Sequence, residues 1–272
     1  MKKIYASILL LLTACIAFSH NLVDTISIES HHIASPAKAV VAVPADYFSD
    51  NNTENYPVVY LLHGYSDDYA YYSTKMDIAK AADDYGIIIV CPDGRDSWYW
   101  DSPIDPTMQM EGFITEELVP AIDRRYRTID SASQRAIAGL SMGGQGSLWL
   151  AIRHPDIWGN AASMSGGVDI TPEKFHAKWK MARSLGSYES NPQRWREHSI
   201  TNLVKDLTPE TINIYIACGT SDFFYKVNCD LDRRLNEAKI PHVYVTAPGG
   251  HSWDYWAKTI YLILDFFNAN FR

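Results

Sequence analysis

The chain has 272 residues, 47% of them apolar and 21% charged, and a formal net charge of −8. That length suits one large α/β domain and is short for two, and the apolar fraction excludes a disordered chain. The acidic balance argues against a nucleic-acid partner, which calls for a basic face.

In chain order, residues 1–19 read as an export signal. Lys2 and Lys3 form a basic start, Ile8 to Leu12 an apolar centre, and Ala17-Phe18-Ser19 a small-residue cleavage site. The apolar stretch is too short to span a bilayer. Leu12-Thr13-Ala14-Cys15 also resembles a bacterial lipobox, and attachment to a membrane is expected only if Cys15 is lipidated. Either way the mature protein is expected outside the cytoplasm, secreted or periplasmic, with residues 20–272 forming one domain.

The first strands are expected near Thr25 to Ile28 and Ala39 to Val43, as an antiparallel lead-in. From Pro57 onward the pattern changes to compact apolar runs: Val58 to Leu62, Ile87 to Cys91, Arg135 to Leu140, Ile212 to Ala217 and Val243 to Val245. Unbroken Val/Ile/Leu runs suit a parallel sheet covered on both faces. Helical spacing fills the gaps, with Ile114, Leu118 and Ile122, then Phe224, Val227, Leu231 and Leu235, then Trp256, Ile260, Leu264 and Phe267. Alternating strands and helices imply a three-layer α/β sandwich with a mostly parallel sheet. Residues 169–209 break the pattern. They are polar, rich in Trp and Tyr and interrupted by Pro172, Gly186, Pro192 and Pro209, and read as a helical insertion after the sixth strand.

The run Arg135 to Leu140 ends in Gly139-Leu140-Ser141-Met142-Gly143-Gly144, and a helix-forming segment follows at once. Strand, Gly-flanked serine and helix in that order form a nucleophile elbow, where the glycines give room to a strained serine. A serine hydroxyl is a poor nucleophile near neutral pH and needs a base within reach. The acid of such a relay should lie just past a strand end, and Asp222 follows Ile212 to Ala217 through Cys218-Gly219-Thr220-Ser221. The base should lie between the last strand and the last helix, where Pro248-Gly249-Gly250-His251 stands. Two blander readings compete: Asp222 as a helix N-cap, and Asp254 as the acid in its place. Backbone donors for an oxyanion are expected at Met142, the residue after the serine, and at Tyr65 in the His63-Gly64-Tyr65 loop. His63 is read as orienting that loop. Trp98, Tyr99 and Trp100 follow the C-terminal end of a strand, where ligands bind in open α/β sheets. Together with Trp253 they are the expected substrate-binding residues. Trp179, Tyr188 and Trp195 add aromatic faces within the insertion.

Without the leader three cysteines remain. Cys91 reads as a buried small hydrophobe, and a Cys218–Cys229 disulfide is compatible with an oxidising compartment. Neither CxxC nor HExxH is present, so no metal site is expected.

The motifs Tyr60-Leu61-Leu62-His63-Gly64, Pro92-Asp93-Gly94, Gly139 to Gly144, Cys218 to Asp222 and Gly250-His251 together resemble the putative-esterase family of α/β-hydrolases. That family spans esterase D-type, tributyrin, feruloyl and acetyl xylan esterases and mycolyltransferases. The stretch Asp93 to Pro103 is most similar to the tributyrin esterase branch. The resemblance implies Ser141, Asp222 and His251 as a triad, with Tyr65 and Met142 N–H groups as the oxyanion hole. The expected activity is a secreted serine carboxylesterase, free of any cofactor, acting on short-chain or carbohydrate-linked esters of the acetyl or feruloyl type. An acyltransferase or thioesterase with the same triad is the alternative, and a non-catalytic carbohydrate-binding protein on the same scaffold is a third reading.

Overall fold

Eight strands, seven pointing one way and one reversed, build one sheet in the computed structural model, which describes residues 22–271. The expected export signal at residues 1–19, with Cys15, lies outside the described residues. The strands are β1 (Val23–Ile28), β2 (Ala37–Ala42), β3 (Val58–Leu62), β4 (Ile88–Pro92), β5 (Arg135–Leu140), β6 (Asn160–Met164), β7 (Asn213–Gly219) and β8 (Val243–Ala247). Their spatial order is β1-β2-β4-β3-β5-β6-β7-β8. β2 runs antiparallel to both β1 and β4, and every later pairing is parallel.

Alternate residues of the central strands serve opposite faces. Val58, Tyr60, Leu62 and Ile137 pack under the helix Met142–Arg153, the segment Met110–Arg125 and the helix Tyr225–Glu237. Val59, Leu61, Ala136 and Ala138 pack against the helices Ile78–Tyr85 and Trp253–Asn270. Both faces are therefore dry, as the unbroken apolar runs require. This is the expected three-layer sandwich.

β6 is the strand that the apolar-run criterion passes over. Its sequence, Asn-Ala-Ala-Ser-Met, has no bulky β-branched residue, yet all five positions are buried. The nearby helix explains the small side chains, because a Cβ on Gly144 would stand 2.8 Å from Ser163 Oγ. The spacing of Ile114, Leu118 and Ile122 also hides an irregularity. Residues Phe113–Leu118 form a π turn, with Val119 N–H donating to Ile114 O, immediately before Pro120, which has no N–H to give. All three residues are nonetheless fully buried.

That segment is tied to the end of the helix Met142–Arg153 by a buried carboxylate. Glu111, 5% exposed, accepts from Trp149 Nε1–H at 2.8 Å and Arg153 Nε–H at 2.7 Å, and lies 2.7 Å from His154 Nε2. Burial alone would raise its pKa, but the bonds from His154, Arg153 and Trp149 outweigh burial and hold it below the usual glutamate value. Because the folded-state value is the lower one, the stabilisation is complete above about pH 4.3, the unfolded value, and is lost as pH falls through the depressed one. Glu111→Ala strands a buried indole donor and is expected to cost about 1–3 kcal/mol. Thermal unfolding monitored by circular dichroism should show a Tm lower by several degrees, with this part of the acid dependence removed. An unchanged Tm across pH 3–7 would refute the tie.

After β6 the chain leaves the sheet for an insertion of short helices, Glu173–His176, Ala182–Leu185, Pro192–Glu197 and Ile200–Leu203. Trp195 is fully buried and donates Nε1–H to Gly186 O at 3.0 Å, while Tyr188 stacks on His176 with centroids 3.7 Å apart. These two aromatics hold the insertion together. Cys91, Cys218 and Cys229 are unbridged thiols. Among the described residues no helix is long and apolar enough to cross a membrane.

Candidate active site

Ser141 occupies the single residue between β5 and the helix Met142–Arg153, at φ 56° and ψ −116°. A non-glycine residue is rare there, and such strain is retained where surrounding structure forces it. The surroundings do force it: the serine N–H donates to Met164 O at 2.9 Å, and its carbonyl accepts from Gln145 N–H at 3.1 Å and Gly167 N–H at 3.3 Å. The turn is so tight that a Cβ on Gly139 would collide with the Gly143 carbonyl, and one on Gly143 with Leu62 O. Glycine is required at both positions to let the helix sit on the ends of β3 and β5.

Two further loops reach this turn. The β7 loop carries Asp222 and the β8 loop carries His251. They are joined through their backbones, with Thr220 N–H donating to Ala247 O at 3.0 Å and Ser221 N–H to Gly249 O at 2.9 Å. A side chain on Gly219 would strike Gly249 O, so the bare backbone lets the loops meet. Asp222 Oδ2 then lies 2.8 Å from His251 Nδ1, and His251 Nε2 lies 2.9 Å from Ser141 Oγ. The carboxylate can only accept, so its position assigns the imidazole proton to Nδ1 and leaves Nε2 free to accept from the serine hydroxyl. Three side chains separated in sequence thus form one hydrogen-bonded line.

The alternative roles can be judged on the same coordinates. Asp222 does not cap the following helix, whose N-cap is Phe224. Its Oδ1 accepts from Phe224 N–H at 2.8 Å, which fixes the carboxylate plane with its side chain wholly out of solvent. Asp254 is exposed in the first turn of the last helix. His63 is buried and clamps its own loop: Nε2 accepts from Gly94 N–H at 2.8 Å, and Nδ1 lies 2.7 Å from Gly64 O. Beside it Gly64 approaches the serine, for a Cβ there would be 3.6 Å from Ser141 Cβ. The next residue is Tyr65, and Ser66 N–H is anchored on Asp96 Oδ1 at 2.9 Å. Met142 opens its helix, so its N–H is among the first four that find no intrahelical acceptor.

The expected aromatic mouth needs correction. Trp98, Tyr99 and Trp100 are 1%, 0% and 1% exposed and offer no ring face to a substrate. Trp98 and Tyr99 both have positive φ (60° and 62°), which folds the loop back into the protein. Tyr99 packs over Gly94 and Gly146 and donates its hydroxyl to His63 O at 3.2 Å. Trp98 and Trp100 stack on each other with centroids 5.4 Å apart. These three residues support the loops around the serine. Trp253 is half-buried, with its ring set steeply to those of Tyr71 and Tyr72 at 5.8 and 6.3 Å.

Sequence pattern missed the ring that does face the line. Phe223, directly after Asp222, is 44% exposed and lies 4.2 Å, centroid to centroid, from the His251 imidazole. On another side of the imidazole Trp256 stands edge-on at 4.9 Å and donates Nε1–H to Ser165 Oγ at 3.1 Å. The adjacency of Phe223 to Asp222 was the available signal.

Comparison with known proteins agrees with this architecture. The profile of the family described as "Putative esterase" matches residues 30–267. An acetyl esterase from Caldicellulosiruptor saccharolyticus is 28% identical over 222 residues, 78% of this chain and 83% of that protein. An S-formylglutathione hydrolase from Mus musculus is 28% identical over 232 residues, 75% of this chain and 79% of its own. Among solved structures, a ferulic acid esterase superposes with a TM-score of 0.78 at 28% identity, covering 92% of this chain and 98% of its own. The chain belongs to this esterase family of α/β-hydrolases and is a carboxylic ester hydrolase.

Proposed function

We propose that the protein is an exported serine carboxylesterase that hydrolyses acetyl- or feruloyl-type esters through an acyl-enzyme. The observation that carries this reading is the unbroken line from Asp222 Oδ2 through His251 to Ser141 Oγ, at 2.8 and 2.9 Å. Ser141 attacks the ester carbonyl as His251 Nε2 takes its proton, and Asp222 stabilises the imidazolium that forms. The oxyanion is held by the N–H groups of Met142 and Tyr65, and losing one such donor costs roughly 10²–10³ in rate in comparable hydrolases. The imidazolium then protonates the departing alcohol, and water activated by the same nitrogen releases the acid. The basic, apolar and small-residue segments of residues 1–19 support export.

The acetyl esterase and ferulic acid esterase relatives support the ester classes named. The test is covalent capture. Incubation with p-nitrophenyl acetate should give a burst of nitrophenolate and, on acid quench, one added acetyl mass on the peptide carrying Ser141. Turnover with no serine-linked intermediate would end the mechanism. Rates with methyl ferulate and acetylated xylan would then rank the acyl groups.

A further inference from the structure

We propose that Phe223 and Trp179 form the subsite for the alcohol half of the ester, and that its occupant is a pyranose ring. This rests on the esterase reading above and extends it to the leaving group. Position gives the first argument. In acyl transfer the nitrogen that deprotonates the serine must next protonate the leaving oxygen, so that oxygen comes within hydrogen-bond reach of His251 Nε2. Whatever borders the imidazole on its open side therefore borders the alcohol. Phe223, Phe224 and Trp256 all lie against the imidazole; Phe224 and Trp256 are buried, whereas Phe223 is 44% exposed, with its ring tilted 38° against the imidazole, and so marks the open side.

The ledge continues outward from the sheet into the insertion. Trp179 stacks on Phe223 with centroids 5.9 Å apart and planes within 23°. Trp179 is backed by Trp98 at 5.8 Å, Phe175 at 5.6 Å and Phe224 at 5.3 Å, so its position is set by a packed aromatic base. Its backbone is held at φ 54°, followed by Lys180 at 49°, an arrangement that bulky side chains avoid unless the surroundings impose it. The buried Trp98 therefore contributes indirectly, by supporting the ring that is presented.

Charge indicates the chemistry of the occupant. Lys178 Nζ lies 5.5 Å from the Trp179 centroid and 6.0 Å from that of Phe223, and Lys174 Nζ donates to Phe223 O at 3.4 Å. An aromatic ledge with an exposed ammonium group close to both rings fits a ring that presents C–H bonds on its face and hydroxyl oxygens at its edge.

The test holds the acyl group constant and varies the alcohol. Methyl acetate, a methyl O-acetyl-xylopyranoside and S-acetylglutathione are compared on the parent, Phe223→Ala, Trp179→Ala and Lys178→Met. Each aromatic deletion should cut kcat/KM for the xyloside by about tenfold, the scale of one good ring contact, mainly through KM. Methyl acetate should lose far less, and Lys178→Met should show a smaller, xyloside-specific loss. Equal losses on methyl acetate and xyloside would overturn the subsite, since the rings would then only be supporting His251. A loss concentrated on S-acetylglutathione, or one that follows the acyl group when methyl butyrate and methyl ferulate are compared, would overturn it as well. A parent that cleaves none of these esters, or p-nitrophenyl acetate, would remove the esterase reading and the subsite together.

Discussion

Ser141→Ala is expected to lower kcat for p-nitrophenyl acetate by about 10⁴- to 10⁶-fold, the range in which triad deletions fall, while leaving KM and Tm nearly unchanged. The size of the effect follows from what is removed. Only Oγ is lost, and with it both the bond-forming atom and the proton donor 2.9 Å from His251 Nε2. The elbow does not depend on that atom. Its geometry is set by backbone bonds to Met164, Gln145 and Gly167, and by the glycines at 139 and 143. The imidazole is partly open to solvent, so water can replace the hydroxyl at little cost to stability. Residual turnover should still exceed the uncatalysed rate, because the proposed Met142 and Tyr65 donors and the substrate contacts survive. Steady-state kinetics with circular dichroism melts check both halves of the expectation. Equal rates from parent and variant would show that Ser141 is not the nucleophile.

The parts of this molecule that sequence discloses are those governed by local rules. The bounds of β3 and β5 match the predicted runs residue for residue, because both strands are buried on both faces and carry no exposed polar position to interrupt them. The meeting of Ser141, Asp222 and His251 was legible for a related reason: each stands past the C-terminal end of a recognisable strand. β6 was not legible, because close approach of the helix Met142–Arg153 selects Ala and Ser, which carry no strand signature. The direction of a side chain on a loop was not legible either. Trp98 and Tyr99 turn inward through left-handed backbone, a choice that depends on Gly94, Gly146 and Gly167 being bare enough to receive the rings. Phe223 is the converse case. It is exposed beside the imidazole only because two loops far apart in sequence are joined at Ser221 and Gly249. Periodicity reports which residues want to be buried, and long-range contacts decide which loop residues face the reacting atoms.

Asp222→Asn should lower kcat by roughly 10⁴-fold, as loss of the correct imidazole tautomer does in serine proteases, although the replacement is nearly isosteric. Phe224 N–H donates to Asp222 Oδ1 at 2.8 Å, and this bond dictates how the new amide must sit. An amide can satisfy that donor only with its oxygen, so its NH2 group is turned toward His251 Nδ1. Two hydrogens facing a protonated nitrogen would repel, and the imidazole proton therefore moves to Nε2. There it blocks acceptance from the Ser141 hydroxyl, and the base is lost with every heavy atom still in place. The side chain is fully sheltered from solvent, so no water can restore the original tautomer. KM should change little, and the Tm should fall modestly because a charge-assisted bond becomes a neutral one. A proton NMR spectrum gives the independent readout: the low-field resonance of an Nδ1–H bonded to a carboxylate should be present in the parent and absent in the variant. If that resonance persists, or if activity falls less than tenfold, Asp222 does not set the tautomer, and the acid must be sought elsewhere around His251.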